Sequence, residues 1–348
     1  MSKQLANYYQ QNYSKTCDLG EFGYFDSPDF LKLAARCISC VSIPVNLFGI
    51  YCILTRTSPS MKEFKWCLLN LQFWTLVIDS FYSLLTTPFY FFPATVRASV
   101  GILNDFGIST RVQFYLGTLA YGGLMSSVVT LFENRHHYIL PRSEPLRLGN
   151  PHLRRLLFLA NFLLGSSYII PSTLFIEDQE LIKLDFLSSF LPCPHPLFFA
   201  PESFAIRLST NWITFGALFC SHTVIAQMVF FIFHTIWFLR KQRNNVSERT
   251  RQLQKTFYRG SVTQVVIPIF VFFLPGIFMN YLAIVKIYNQ KLINFCVLIF
   301  PFHGIVATTA LILVNEPYRR FFKSLFQLRK PRQIENAAMK TCATYANE

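Results

Sequence analysis

Seven long apolar segments, separated by polar loops, constrain the fold of this 348-residue chain more than any other feature. A helix needs about 20 consecutive apolar residues to cross the hydrocarbon core of a bilayer. Only 14% of the residues are charged, whereas soluble domains usually carry about 25%. The pattern predicts an all-α integral membrane protein with a seven-transmembrane helix bundle. The predicted spans are Cys37–Leu54, Trp66–Phe91, Val112–Phe132, Leu156–Ile176, Ser209–Leu239, Ser261–Val285 and Leu292–Asn315.

The spacing of these segments indicates one membrane domain without a separate soluble domain. Residues 37–316 hold all seven spans, residues 1–36 form a polar N-terminal segment outside the cell, and residues 317–348 form a cytoplasmic tail. The N-terminal segment lacks the apolar stretch of a secretory signal peptide, so the first helix is expected to act as an uncleaved anchor. In the second outer loop, three prolines make the run Leu191–Pro196 non-helical, and the loop is predicted to form a structured cap over the bundle.

The distribution of basic residues predicts the orientation of the chain in the membrane. The net charge is +14, and 22 of the 32 Lys and Arg residues fall in the alternate loops and the C-terminal tail that share one side. The positive-inside rule places that side in the cytoplasm and the N-terminus outside. We expect a multi-pass protein of the plasma membrane whose basic face attracts anionic lipid and an acidic cytosolic partner. Because the charge follows the topology, nucleic acid is not an expected partner.

Two features of the predicted outer side follow from this topology. Asn12 begins an N-glycosylation sequon, whereas the sequon at Asn245 falls on the cytoplasmic side and should stay unmodified. Of the nine cysteines, only Cys17 and Cys193 clearly lie on the oxidising side. We predict that these two form a disulfide that ties the N-terminal segment to the second outer loop, with two free thiols as the alternative.

No constellation of residues in the sequence indicates an enzyme, a metal site or a cofactor site. His136 and His137 are adjacent, while His222, His234 and His303 are isolated, and neither HxxxH nor HExxH spacing occurs. The sequence also lacks a G-x-S-x-G motif and a phosphate-binding loop. We therefore expect no catalytic activity, no metal and no cofactor.

Asp79 is the only acid deep within a predicted span. A carboxylate in the hydrocarbon region is costly and marks a functional site by default. Asp79 is predicted to bind a cation together with Asn70 or polar groups of other helices, or to take part in a conformational switch. The alternative is a packing residue that is protonated or hydrogen-bonded.

Two motifs lie at the predicted cytoplasmic edge. Glu133-Asn134-Arg135 closes the third span, where an Arg held by the adjacent acid can be released to a partner; a plain snorkelling Arg is the alternative. After the seventh span, Pro317 suits the start of a new helix. This helix is predicted to be short and amphipathic and to lie on the membrane surface. Its predicted apolar face comprises Phe321, Phe322, Leu325 and Phe326.

Prolines inside the predicted spans mark positions where a helix can bend. Each removes a backbone hydrogen bond, which a helix bundle can tolerate. Pro268 and Pro275 both lie in the sixth span, so this helix is predicted to be kinked and movable, with simple packing distortion as the alternative. The others are Pro44, Pro171 and Pro301.

Several motifs occur in a fixed order from the second span to the tail. They are Trp66–Trp74 with Asp79 and Pro88, Phe132–Arg135, Leu191–Cys193, Gln264 with Pro268 and Pro275, His303-Gly304, and Pro317–Arg319. Single motifs of this kind have low specificity, but the ordered set covers most of the chain. The set resembles the class H serpentine chemoreceptors of nematodes, a family of seven-transmembrane G-protein-coupled receptors.

The resemblance implies a chemosensory receptor that binds an external small molecule beneath the second outer loop and activates a heterotrimeric G protein. The sensory cilium is the location that this role implies. The sixth helix is the expected moving part, and its displacement would open a groove near Arg135 for the G protein. The implied coupling residues are Glu133, Asn134, Arg135, Pro317, Tyr318 and Arg319.

Departures from the rhodopsin-like pattern leave the activation switch open. The seventh span has no Asn-Pro-x-x-Tyr motif, and no Cys opens the third span. Two other functions also stay open. A receptor for an endogenous ligand such as a peptide would share this fold, whereas a small transporter or channel has only the helix count and Asp79 in its favour.

Overall fold

The computed structural model describes residues 3–17, 22–59, 62, 64–167, 178–206, 211–241 and 247–327. Seven long helices, α1–α7, pack into a bundle, and a shorter helix, α8, follows them. By length and composition, α1, α2, α3, α5 and α7 are each able to cross a membrane within the described residues. The helices are α1 Pro28–Arg56, α2 Lys65–Ser80, α3 Thr110–Ile139, α4 Pro151–Ser167, α5 Asn211–Lys241, α6 Glu248–Ile284, α7 Gln290–Ile299 with Phe302–Val314, and α8 Glu316–Gln327.

Side-chain caps fix where three of the helices begin. The Ser27 hydroxyl accepts a hydrogen bond from the backbone N–H of Phe30, and Pro28 occupies the first helical position. α1 therefore starts nine residues before Cys37, the first residue of the predicted span. Ser109 caps α3 and Asn289 caps α7 in the same way.

The predicted end of the second span at Phe91 was wrong. α2 continues only as a π-helical turn, Phe81–Leu85, and β-strand β1 then begins at Pro88. Proline supplies no backbone N–H, and it disfavours helical backbone in the residue before it. The chain accordingly leaves the helix at Thr86 and Thr87 and enters a hairpin.

The prolines within the helices differ in whether they interrupt the helix. α7 is interrupted between Ile299 and Phe302, around Pro301. α1 runs unbroken through Pro44, and α6 is one continuous helix through Pro268 and Pro275. Pro171 lies outside the described residues.

Small residues allow two close helix contacts around α3. A Cβ added to Gly165 of α4 would lie 2.8 Å from the Cα of Gly122, so the two backbones touch at this crossing. On the neighbouring position of α3, a Cβ at Gly123 would collide with the indole ring of Trp74 from α2. α3 thereby occupies the centre of the bundle between α2 and α4.

A three-stranded antiparallel sheet lies over one end of the bundle. Its strands are β1 Pro88–Tyr90, β2 Val96–Ser99 and β3 Phe204–Ala205, in the order β1-β2-β3. Tyr90 pairs with Arg97, which in turn pairs with Phe204. Together with residues 3–17 and 178–206, this sheet forms a structure that we call the cap.

The N-terminal segment is bound to the second outer loop within the cap. It contains the short helices Lys3–Tyr8, Tyr9–Tyr13 and Ser14–Thr16. Cys17 and Cys193 form a disulfide in the structure, and the buried Tyr13 hydroxyl donates a 2.6 Å hydrogen bond to the backbone carbonyl of Pro194. The loop from residue 178 to 206 contributes helix Gln179–Ser189, a turn of 3₁₀ helix at Pro196–Phe199, and a non-helical run between them.

The cap has its own apolar core, separate from that of the bundle. Phe89, Phe91 and Phe198 are fully buried in the cap core. The bundle core is built around residues of α3 such as Leu124 and Phe132. α1 and α7 contribute to both cores, so they carry the cap on the bundle.

The opposite end of the bundle, which we call the tail end, carries α8. The ring of Phe321 stacks on Phe48 of α1 at 6.3 Å between centroids, and the Arg56 guanidinium lies 4.0 Å from the Phe321 ring centroid. The predicted short amphipathic helix is therefore present and packs against α1. At the same end, α5 ends at Lys241 and α6 begins at Glu248.

A buried lysine in the cap makes the stability of the protein depend on pH. Lys183 is 4% exposed, and its ammonium donates to the backbone carbonyl of Ala200 at 3.3 Å. Burial lowers the pKa of Lys183 to about 8, although Glu180 and Glu202 act in the opposite direction. An unfolded lysine keeps its proton up to about pH 10.4.

We expect the thermal stability of the protein to rise between pH 8 and pH 10 through this group. In that window the unfolded chain binds more protons than the folded chain, so the free energy of unfolding increases with pH. Lys183→Met should flatten this rise, whereas Lys15→Met, at an exposed position of the same cap, should leave it unchanged. Unfolding midpoints of the detergent-solubilised protein measure both effects, and an equal rise in both variants would contradict the assignment.

Candidate functional site

A cavity of about 530 Å³ lies inside the bundle directly under the cap. Residues of α2, α3, α5, α6 and α7 form its walls, and the β1–β2 hairpin forms its roof. This size falls within the range typical of small-molecule sites. Residues of its described wall include Tyr82, Tyr90, Arg97, Phe114, Tyr121 and Phe300.

The alternation of the hairpin strands explains why the roof has two different faces. Residues directly opposite each other in an antiparallel pair point to the same side. Tyr90 and Arg97 are such a pair, and both line the cavity. Phe89 and Ala98 are the next pair along the strands, and both are buried in the cap core on the other side. The hairpin thus separates the cavity from the cap core.

A buried polar cluster lies one helical turn from the cavity, on the side away from the cap. The Asp79 carboxylate of α2 accepts hydrogen bonds from Ser42 at 3.0 Å and Asn46 at 2.9 Å, both from α1. His303 of α7 approaches the same carboxylate, with its Nδ1 3.5 Å from Oδ1. A Cβ at Gly304 would collide with this carboxylate, so a larger residue at that position must displace it. Asp79 itself is 1% exposed.

The cluster extends through the side-chain amide of Gln72 and the hydroxyl of Thr308. Gln72 donates to the Asn46 carbonyl oxygen at 2.7 Å and lies 2.6 Å from the Thr308 hydroxyl, and Thr308 donates to the same Asn46 oxygen at 3.0 Å. Asn46 is thus bonded to both α2 and α7. Since all three side chains are buried, the network joins three helices without access to bulk water.

Two contacts in this region were not indicated by the sequence, and polar groups of other helices, rather than Asn70, surround Asp79. Asn70 does not take part in the Asp79 cluster, because its amide donates to Ser127 of α3 at 2.6 Å. The histidines are also less isolated than their spacing suggests. His303 lies beside Asp79, and His234 of α5 lies 2.8 Å, ring nitrogen to ring nitrogen, from His136 of α3.

The Glu133-Asn134-Arg135 triplet lies at the tail end of α3 and is buried there. The carboxylate of Glu133 accepts two hydrogen bonds from Arg154 of α4, at 2.8 and 3.0 Å. The Arg135 guanidinium instead stacks on the ring of Phe64, 3.1 Å from its centroid. The sequence predicted that Glu133 holds Arg135. In the structure, Arg154 of α4 reaches the Glu133 carboxylate, and Arg135 contacts Phe64.

The Pro317-Tyr318-Arg319 motif lies where α7 turns into α8. Tyr318 is fully buried, and its hydroxyl lies 2.8 Å from the Thr57 hydroxyl at the end of α1. Arg319 donates to the backbone carbonyl of Leu313 at 2.9 Å. Tyr318 and Phe64 belong to the same buried cluster, so the residues that contact the α3 triplet and the start of α8 meet at the tail end.

Sequence reasoning missed several residues of these sites. Arg97 lines the cavity but belongs to no motif that the sequence analysis singled out. The members of the polar cluster had a detectable signal, since each is a polar residue inside an apolar span. These missed members are Ser42, Asn46, Gln72 and Thr308.

The chain matches the family model described as "Serpentine type 7TM GPCR chemoreceptor Srh" over residues 26–328. It is 28% identical over 326 residues to "Serpentine receptor class H-72" of Caenorhabditis elegans, with 92% of each chain covered. It is also similar to the chain in "Crystal structure of squid rhodopsin", at 10% identity and a TM-score of 0.49, covering 86% of this chain and 85% of that chain.

The tight contact at Gly304 leads to a stability prediction. In Gly304→Ala the new methyl group must displace the Asp79 carboxylate, and overpacking of this kind costs about 1–3 kcal/mol. Gly276→Ala in α6 is the matched control, because a Cβ there has no neighbour within 4 Å. Unfolding midpoints in detergent should fall for Gly304→Ala and stay constant or rise for Gly276→Ala. Equal midpoints for the two variants would show that the contact is unimportant.

Proposed function

Because the chain belongs to the class H serpentine family of seven-transmembrane G-protein-coupled chemoreceptors, we propose that it binds an external small molecule under the cap and activates a heterotrimeric G protein. The cavity carries this proposal. It is large enough for a small ligand, its described wall is mainly aromatic and apolar, and the cap covers it.

The cavity and the polar cluster are adjacent along the chain segments that follow Asp79 and that precede His303. Tyr82 and Phe300 line the cavity and pack with their ring centroids 5.0 Å apart. Tyr82 follows Asp79 by one turn, and Phe300 adjoins the interruption of α7 at Pro301. A ligand that prefers one arrangement of these two rings shifts the balance between two positions of α7. The polar cluster and the break in α7 are the proposed switch, and α6 is the proposed moving helix.

The tail end supplies the proposed docking site for the G protein. Arg135 and Tyr318 reach this end from α3 and α8, and the stack of Arg135 on Phe64 holds the guanidinium inside the bundle. Displacement of α6 would open the space beside α3 and let Arg135 turn toward the partner. The same residues that close the tail end therefore become the contact surface of the active receptor.

We also propose that the capped end faces the outside and the tail end faces the cytoplasm of the cell, in the plasma membrane. The excess of Lys and Arg at the tail end supports this orientation. Residues 1–36 then lie outside, and residues 317–348 lie in the cytoplasm.

Glycosylation tests the orientation directly. Asn12 is exposed on the cap, so Asn12→Gln is expected to remove an N-linked glycan and to abolish the mobility shift caused by a glycosidase. Asn245 lies outside the described residues, and Asn245→Gln is expected to change nothing. Loss of the shift in Asn245→Gln, but not in Asn12→Gln, would reverse the proposed orientation.

Signalling by Arg135 variants tests the proposed function. We expect Arg135→Ala to lower nucleotide exchange on a co-expressed G protein, because the charge that contacts the partner is lost. Arg142→Ala is the matched control, since it removes an exposed arginine from the loop that follows α3. Surface labelling must show equal amounts of both variants. Normal exchange in Arg135→Ala would remove this residue from the mechanism, and no exchange in the parent protein with any G protein would overturn the function.

A further inference from the structure

We propose that the cavity selects organic anions, specifically carboxylic acids with an apolar body, and that Arg97 binds their carboxylate. This inference rests on the proposed function, because it assumes that the cavity is the ligand site. It adds the chemical class of the ligand.

The position of Arg97 places a permanent positive charge in the cavity roof. Arg97 lies on β2 opposite Tyr90, and the strand pairing directs both side chains to the cavity side of the hairpin. A guanidinium keeps its proton at every physiological pH. Among the described residues that line the cavity, none carries a carboxylate.

Contacts with α3 hold the guanidinium in a defined plane. It lies 3.7 Å from the centroid of the Phe114 ring, and its Nη2 donates to the backbone carbonyl of Thr110 at 3.3 Å. Phe114 also lines the cavity. Arg97 is 7% exposed, so its charge acts through protein and ligand rather than through bulk water. A fixed, planar guanidinium presents paired N–H donors that match the two oxygens of a carboxylate.

The remaining wall suits the rest of such a ligand. Thr86 lines the cavity and is 2% exposed, and its hydroxyl has no hydrogen-bond partner among the described residues. That hydroxyl is available as a second donor to a bound anion. The rings of Phe81, Tyr82 and Phe300 provide an apolar surface for a hydrocarbon body. The cavity therefore combines one polar end with aromatic walls.

Direct binding to the purified full-length chain tests this inference without any signalling. The probes are hexanoate and hexanamide, which have nearly the same shape but differ in charge. We expect hexanoate to bind about tenfold more tightly than hexanamide or better, as measured by calorimetry in detergent at pH 7.5. Arg97→Gln should abolish this preference by weakening only hexanoate, and Arg111→Gln, at the start of α3, should retain it.

Each outcome decides for or against the inference. Equal binding of the two probes to the parent protein, or absence of hexanoate binding, would overturn it, and this comparison needs no variant. A preference that survives in correctly folded Arg97→Gln would also overturn the role of Arg97. If Arg97→Gln does not fold, Arg97→Lys takes its place, and we expect a weaker preference because lysine lacks the paired donors. Arg97-dependent binding without G-protein activation would support the inference while contradicting the proposed function.

Discussion

The carboxylate of Asp79 on α2 needs hydrogen-bond donors inside the membrane. Ser42 and Asn46 of α1 supply them, and His303 of α7 packs beside the same carboxylate. A polar group without a partner is costly in a low-dielectric interior, so these helices have few alternative positions. Gly304 lets α7 approach closely enough to complete the site. The interruption of α7 beside Pro301 then places Phe300 in the cavity wall. The shape of the cavity thus depends on the same contacts that satisfy Asp79.

At the tail end, the buried charges have charged or aromatic partners instead of the neutral hydrogen-bond donors that surround Asp79. The carboxylate of Glu133 is matched by Arg154, which joins α3 to α4, whereas Arg135 uses an aromatic ring. Two charged residues of opposite sign on one helix, two positions apart, thus contact different elements: Glu133 contacts α4, and Arg135 contacts Phe64 before α2.

Much of this architecture was predictable from local patterns. The apolar runs indicated the membrane helices, and the residues after the seventh run indicated α8. The β1–β2 hairpin was missed because Phe89–Phe92 is as apolar as a helical span, and only Pro88 marked the change. Polar residues inside apolar spans were visible, but their pairing with Asp79, and that of Arg154 with Glu133, could not be predicted because the partners lie far apart in the sequence and are selected by packing. Asp79 itself was identified, because an acid within an apolar run is visible without any structure.

The separation of the cap core from the bundle core has a consequence for how this architecture can diversify. Substitutions in two cores that share few residues have nearly additive effects on stability, so a change in one core rarely needs a compensating change in the other. The hairpin lies between them with Tyr90 and Arg97 facing the cavity. A lineage of such chains can therefore exchange roof and loop residues, and with them the lining of the cavity, while the helices of the bundle keep their packing.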